Sequence, residues 1–479
     1  MNIEATSKRM GTTSAARAQS GVRQADRSRL RDGFAWAVLA LVALAPIPFG
    51  SNRPFFWALW AIVIGVTWLA YLAAADRNTQ SLRLRMSTLR PGLFLGGLVL
   101  AYLLVQMLPL GSLVGPVVPL EGPAPAIWAP AISIAPGATQ LMALRWATYG
   151  LFVLLVLQLA VNPARARTML AGLFYVVAAH AVFGLSSLTQ FGDTLLGAEK
   201  WAYQGVATGT FVNRNSFATL LAFGLVIGTA KLADAARGIL VADVPLSKRI
   251  ARLDPMMIVD LVCLALIVAT LLATRSRMGA FAATGGVAIV LLLAAIQTGR
   301  PWRLLLLGLP IIAGTFAILL PAFGEGLLER LGSVEHASDD RLELYAQVLE
   351  MIAARPLTGY GGGSFEIAFP LFHRPPVSAD MLWDKAHNTY LALWAELGIV
   401  FGSLPLLMAA VSAWRLTRGL KTAGKGWLPR ASAVGCLAVA GLHSLVDFSL
   451  EIQAVAFFFL AVLGLGLAQA IAKEQGRPG

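Results

Sequence analysis

Charged side chains are scarce in this sequence, at 13% of 479 residues, where a soluble domain carries roughly a quarter. Cysteine is nearly absent: Cys263 and Cys436 are the only two, and both fall inside apolar runs. That excludes a disulfide framework as the source of stability and leaves the redox compartment unread. Acids are outnumbered by bases, 25 to 38, giving a formal net charge of +13. A nucleic-acid binder gathers such charge on one soluble face. Here it sits in short clusters between apolar runs, which is a topology signal, so nucleic acid is excluded as a partner. A cleavable signal peptide is not visible either, because the first 32 residues are polar and basic and the first apolar run starts at Gly33.

What the chain has in abundance is apolar sequence: 57% hydrophobic residues and a mean hydropathy of +0.71. That much apolar surface needs lipid as a solvent. A spanning helix takes roughly 20 mostly apolar residues. The runs that meet this are 33–50, 55–75, 92–110, 141–161, 168–188, 213–230, 256–273, 279–297, 304–321, 388–413, 431–448 and 452–472. The first is short and interrupted by Pro46 and Pro48. The expected fold is therefore all-α, a polytopic membrane protein with about twelve transmembrane helices. Its expected parts are a basic tail without fixed structure over 1–32, spans one to nine over 33–321, a large loop over 322–387, three further spans over 388–472, and a short tail over 473–479.

Orientation follows from Lys and Arg. With the N-terminus in the cytoplasm, 27 of the 38 fall on the cytoplasmic side, as the positive-inside rule requires. Twelve spans return the C-terminus to the same side, and the 322–387 loop lies outside. No internal repeat stands out, which weighs against a transporter.

Within the outer loop, Ser338-Asp339-Asp340 reads as a helix start, a capping Ser followed by acids at the positive end of the dipole. Leu342, Tyr345, Leu349 and Ile352 then recur at helical spacing, and Arg355-Pro356 ends the segment. The predicted amphipathic helix lies on the membrane or over a cavity. Gly359-Tyr360-Gly361-Gly362-Gly363-Ser364 follows, which is either a tight turn or a phosphate-facing nest of N–H groups. It lacks the GxxxxGK pattern, so an ATP site is excluded. The loop closes on His387-Asn388 at a helix entrance. A helix N-terminus lowers an imidazole's pKa, favouring a neutral ring that accepts a proton. Such an interfacial His serves either as a base or simply as a hydrogen-bonding residue.

Ionisable residues at membrane depth are costly and mark candidate functional sites. Arg214 stands at a helix mouth, and Arg275 and Arg277 share a tight outer turn. Arg275 reads as snorkelling to headgroup phosphates, whereas two arginines converging on one cavity suit a diphosphate, which guanidinium binds through paired donors. Glu396 is expected two to three turns along the helix that His387 opens. His443, Asp447 and Glu451 are spaced by four, so they are expected on one helical face, where ion pairing between helices explains them better than a metal site.

An ordered set of motifs resembles the O-antigen ligase and O-antigen polymerase superfamily. They are Gly209-Thr210-Phe211-Val212-Asn213-Arg214-Asn215-Ser216-Phe217-Ala218, Thr274-Arg275-Ser276-Arg277-Met278-Gly279, Arg341 through Gly361, Ala386-His387-Asn388-Thr389-Tyr390-Leu391 with Glu396-Leu397-Gly398, and His443-Ser444-Leu445-Val446-Asp447-Phe448. Trp128 with Ile132-Ser133 is similar to the family's early outer loop. Met278 stands where the family usually has Gly, and Gly402 comes one residue later than in its shorter form. The likeness runs over residues 125–465.

The resemblance implies a multi-pass protein of a bacterial inner membrane, with cytoplasmic termini and a periplasmic active site under a large periplasmic loop containing amphipathic helices. It implies glycosyl transfer without a metal or other cofactor. The donor would be a glycan on undecaprenyl diphosphate, and the acceptor a lipid A-core sugar or, in polymerases, another lipid-linked repeat. Arg214 and Arg277 would hold the diphosphate, His387 would take the acceptor's proton and Arg341 would shape the cavity mouth, with Asn388, Asn215, Asp447 and Glu396 in support. Polymerisation of O-antigen or exopolysaccharide repeats is one alternative, and a flippase for lipid-linked glycan is another.

Overall fold

The computed structural model describes residues 29–77, 82–117, 128–240, 255–298, 331–380 and 382–476. They are overwhelmingly helical. The long helices are α1 (29–44), α2 (Pro54–Arg77), α3 (Met86–Gln106), α4 (Pro136–Leu159), α5 (Pro163–Thr189), α6 (Arg214–Leu240), α7 (Pro255–Ala273), α8 (Arg277–Thr298), α9 (Leu331–Ala354), α10 (Thr389–Gly402), α11 (Leu404–Thr417), α12 (Trp427–His443) and α13 (Gln453–Glu474). The strands among the described residues are one two-residue antiparallel pair, Thr194–Leu195 with Ala198–Glu199.

Helix starts follow local chemistry. Pro136 and Pro163 sit in first turns, where the missing N–H costs nothing. Asn162 caps α5, its side chain accepting from Ala164 N at 2.9 Å and Arg165 N at 3.2 Å.

Eight helices, α2 to α8 and α13, are long and apolar enough to cross a membrane, and α10 with α11 makes up to nine if that bent pair is one span. The expected run at 304–321 and most of the 1–32 tail lie outside the described residues. The twelve-span expectation thus narrows to this eight or nine among the described residues. Three runs differ in form. The first helix ends at residue 44, before Pro46, instead of continuing to 50. The 388–413 run is not one straight helix: it bends by 73° between α10 and α11. The chain first leaves helical geometry at Gly398 inside α10 (φ 71°, ψ 165°), and Pro405 in the first turn of α11 cannot supply the N–H that an uninterrupted helix would need. The 431–448 run ends at His443, so His443, Asp447 and Glu451 do not share a helical face.

The bundle has a centre and a rim. Of the apolar windows of α6 and α13, 89% and 83% are buried, against 11% in α2 and 17% in α7. Phe55, Ile62, Val66 and Leu69 of α2 and Ile258 and Val262 of α7 face outward. A hydrophobic helix this little buried requires lipid around it, and its backbone groups are satisfied within itself. The chain is a membrane protein. Small residues set the central crossings: a Cβ on Gly286 of α8 would stand 2.5 Å from Val439 Cγ2 and 2.9 Å from the Gly435 carbonyl of α12. Between α5, α6 and α7, Lys231 pairs with Asp260 at 2.6 Å, and the Tyr175 hydroxyl donates to the same carboxylate oxygen at 2.8 Å. Cys263 and Cys436 are both free thiols.

A second, separate core lies above the bundle. Leu344, Val348, Met351 and Ile352 of α9 pack there with Tyr360, Phe365, Phe369, Trp383 and the start of α10. The buried face of α9 is therefore not the predicted stripe. Tyr345 and Ile352 belong to it, but Leu342 and Leu349 are exposed. Helix α9 also already runs from Leu331, so Ser338 is an interior residue and not its cap. The helix formers Leu331, Glu335 and Ala337 upstream continue the helix through it.

Candidate active site

Four breaks between helices meet at one place: the entrance of α6, the α7–α8 turn, the entrance of α10 and the gap between α12 and α13. Asn215 ties three of them together. Its Nδ2 donates to Asp447 Oδ1 at 3.1 Å, and its Oδ1 accepts from the Ser276 hydroxyl at 2.8 Å. Ser276 also caps α8, accepting from Gly279 N at 3.2 Å. One turn into α6, the Thr219 hydroxyl lies 2.6 Å from His443 Nδ1. Asp447 is buried, and its second carboxylate oxygen accepts from the Ser449 hydroxyl. The backbone of the α10 entrance is laced to the same gap: Thr389 N donates to Ser444 O at 2.9 Å, Thr389 Oγ1 to Asp447 O at 3.1 Å, and Asn388 Nδ2 to Leu445 O at 2.9 Å.

Four arginines converge above this network. Arg275, Arg277 and Arg341 are all close enough to Arg214 to repel it. Among the described residues none of the four forms an ion pair. Arg214 is half-buried, its guanidinium lies over the Tyr203 ring at 5.5 Å, and its buried Nε has no hydrogen-bond partner. Arg275 and Arg277 are exposed. Like charges held together without a counter-ion make a site for an anion with several acceptor oxygens.

His387 faces the same space. It lies immediately before the Asn388 cap of α10, whose side chain accepts from Tyr390 N at 3.0 Å and Leu391 N at 3.1 Å. Its backbone is left-handed, φ 49°, a conformation that costs a non-glycine residue energy and persists only when neighbours hold it. The Tyr345 hydroxyl does so, donating to His387 O at 3.0 Å. The imidazole is held edge-on between Phe448 and Trp383, 5.1 and 5.8 Å between ring centres. Burial lowers its pKa, Arg341 acts in the same direction, and Asp447, Asp384 and Glu451 oppose them. The expected direction holds, with burial as its leading cause.

The glycine-rich segment is a packed turn and not a nest. Tyr360 N donates to Ala395 O and Gly361 N to Glu396 O, each at 2.9 Å, and Gly362 N donates to Gln106 Oε1 at 3.0 Å. These N–H groups face the protein and are not free for phosphate. A Cβ on Gly359 would stand 2.4 Å from Glu396 O, and one on Gly398 would stand 2.2 Å from Leu357 O. Glu396 is part of this packing, its Oε1 accepting from Phe365 N at 3.3 Å, and it stands apart from the arginines. Glu451 pairs with Lys385 at 3.0 Å. Among the described residues no group of three or more His, Cys, Asp or Glu is arranged to hold a metal ion.

Of the residues singled out in the sequence, Arg214, Arg277, Arg341, His387, Asn388, Asn215 and Asp447 come together, and Glu396 does not. The sequence reading missed Arg275 as a member of the cluster, together with Tyr203, Tyr345, Ser276 and Asp384. Arg275 was legible, since it shares a turn with Arg277. Tyr203 and Asp384 carry no pattern of their own; Tyr345 and Ser276 sit in quoted motifs, but their place in the site arises by tertiary contact.

Residues 262–406 match the family model described as O-antigen ligase. That segment is similar to the O-antigen ligase family. No curated protein matches the chain. The matched segment contains Arg275, Arg277, Arg341, His387 and Asn388. Arg214, Asn215 and Asp447 lie outside it, and the fold brings them to it.

Proposed function

We propose that this protein is a periplasmic-face glycosyltransferase that moves a glycan from undecaprenyl diphosphate to an acceptor sugar hydroxyl, with lipid A-core as the acceptor. The observation that carries this reading is the convergence of Arg214, Arg275, Arg277 and Arg341 without ion-pair partners, beside a half-buried His387. A diphosphate is already a good leaving group. The reaction needs stabilisation of its developing charge and a base for the attacking hydroxyl. In this scheme the acceptor oxygen bonds to the anomeric carbon, the bond from that carbon to the phosphate oxygen breaks, Arg214 and Arg277 take up the charge on the departing diphosphate, and His387 accepts the acceptor's proton. Arg341, within electrostatic reach of both Arg214 and His387, shapes the mouth of the site in this scheme. Asn215, Asn388 and Asp447 hold these groups in register. The scheme uses no metal and no other cofactor.

The test is reconstitution. Purified protein with lipid-linked glycan and acceptor forms the new glycosidic bond, and His387→Ala and Arg277→Ala abolish or cripple it. Undiminished transfer by both variants removes the assigned roles, and lipid translocation without a new bond favours a flippase. A deletion strain distinguishes the acceptors. Loss of a ligase leaves polymer accumulating on the lipid carrier, whereas loss of a polymerase leaves single repeats on lipid A.

A further inference from the structure

The segment 190–212 is built to hold one surface still. Asp193 is its hub: its carboxylate accepts from Lys200 Nζ and, at 2.6 Å, from Gly205 N. Lys200 is buried and also donates to Val206 O at 2.8 Å. Gln204 Nε2 donates to Lys200 O at 2.9 Å. At the far end Ala207 N donates to Ala273 O at 2.9 Å, which fastens the segment to the turn that carries Arg275 and Arg277. Asp193, Leu196 and Tyr203 all adopt left-handed backbone, φ 56°, 53° and 57°. For a tyrosine this is sterically unfavourable, and the surrounding hydrogen bonds maintain it.

What the segment presents is Tyr203. Its ring lies against the Arg214 guanidinium at 5.5 Å and remains 37% exposed. Asp384 is exposed, has no hydrogen bond or ion pair among the described residues, and lies within electrostatic reach of both Tyr203 and His387. The Tyr203 ring therefore lies against the Arg214 guanidinium, and Asp384 is in electrostatic reach of both Tyr203 and His387.

We propose that Tyr203 and Asp384 form the subsite for the sugar ring bonded directly to the diphosphate. This rests on the reading of Arg214 and Arg277 as diphosphate ligands. A pyranose offers an apolar C–H face and a rim of hydroxyls. The first needs a flat apolar partner, and the second needs acceptors such as a carboxylate, whose two oxygens take several donors. Because that sugar's anomeric carbon is bonded to a phosphate oxygen, its ring must lie beside the group that Arg214 holds. Tyr203 is the aromatic ring in that position. Asp384, three residues before His387, puts a hydroxyl acceptor on the side where the incoming nucleophile is deprotonated.

The test compares two probes on the purified full-length protein: undecaprenyl diphosphate, and undecaprenyl diphosphate bearing one N-acetylhexosamine. Wild type binds the sugar-bearing probe more tightly. Tyr203→Ala is expected to lose about tenfold on that probe and nothing on the other, the scale of one lost ring contact. Asp384→Asn is expected to lose about tenfold on the same probe through weakened charged hydrogen bonds. Tyr203→Trp keeps the preference, because it keeps an aromatic face. Arg214→Ala weakens both probes alike and leaves their ratio. If Tyr203→Ala does not fold, Asp384→Asn and Tyr203→Trp decide the question. Variants that weaken both probes equally, or neither, overturn the subsite while the diphosphate reading stands. Wild type that binds neither probe removes the diphosphate reading and the subsite with it.

Discussion

The Tyr345 hydroxyl donates a hydrogen bond to the backbone carbonyl of His387 at 3.0 Å, and so the amphipathic helix α9 holds the candidate base in its left-handed conformation. The contact fixes backbone and leaves the ring free. Tyr345→Phe removes one hydrogen bond worth about 1 kcal/mol net. The expected result is a fall in kcat of about tenfold or less with KM little changed, measured as initial rates of glycan transfer. An unchanged kcat shows that Asn388 and the aromatic pair suffice to hold His387.

His387 also sets a pH dependence. Its pKa is lowered from the ordinary 6.5, chiefly by burial. The ring therefore takes up a proton less readily than an ordinary imidazole. Transfer should lose its base on the acid side with a midpoint below the ordinary 6.5. A profile of kcat/KM against pH with its acid limb above that value contradicts the assignment.

Arg277→Ala takes a donor away from the anion site without leaving a buried partner behind, since Arg277 is exposed and unpaired. Removal of one such charge-stabilising donor is expected to cost about a hundredfold or more in kcat. Arg277→Lys keeps the charge but not the paired donors and should recover only part of it. Full recovery by lysine shows that charge alone is used.

Asn215 is expected to be structural as well as functional. Asn215→Ala strips the buried Asp447 carboxylate of one of its two side-chain partners and releases Ser276. Leaving a buried acceptor unsatisfied costs about 1–3 kcal/mol, so the melting temperature and the transfer rate should fall together. A variant with wild-type melting and lost activity would place Asn215 on the substrate.

Gly398 offers a check on the fold under the site. Its φ is 71°, and an added Cβ would stand 2.2 Å from Leu357 O. Gly398→Ala forces the 355–363 turn away from α10, and its backbone (φ 71°, ψ 165°), a region essentially reserved for glycine, alone costs about 1–3 kcal/mol for alanine. Lower thermal stability is expected, with loss of activity following from displacement of α9. Equal stability of the alanine variant contradicts this packing.

Composition and run length by themselves determined that the chain is a helical membrane protein, because apolar runs of this length have no other stable solvent. The sequence also marked Arg214, Arg277, Arg341 and His387, since charges and imidazoles at helix mouths are conspicuous against apolar surroundings. Local patterns settled less. Leu342 and Leu349 satisfy helical periodicity yet are exposed, while Leu344 and Val348 are buried. Periodicity identifies a helix with two apolar edges but not which edge meets the second core. The spacing of His443, Asp447 and Glu451 likewise implied one helical face, and the helix ends at His443. Tertiary structure alone decided that Asn215 joins Asp447 to Ser276, that Tyr345 secures His387, that Glu396 serves the glycine-rich turn and that Tyr203 covers Arg214. Tyr203 and Arg214 are neighbours along the chain, but the other three are pairings between segments far apart in it, formed where helices break. Such pairings depend on where whole helices pack, and no spacing within one segment encodes them.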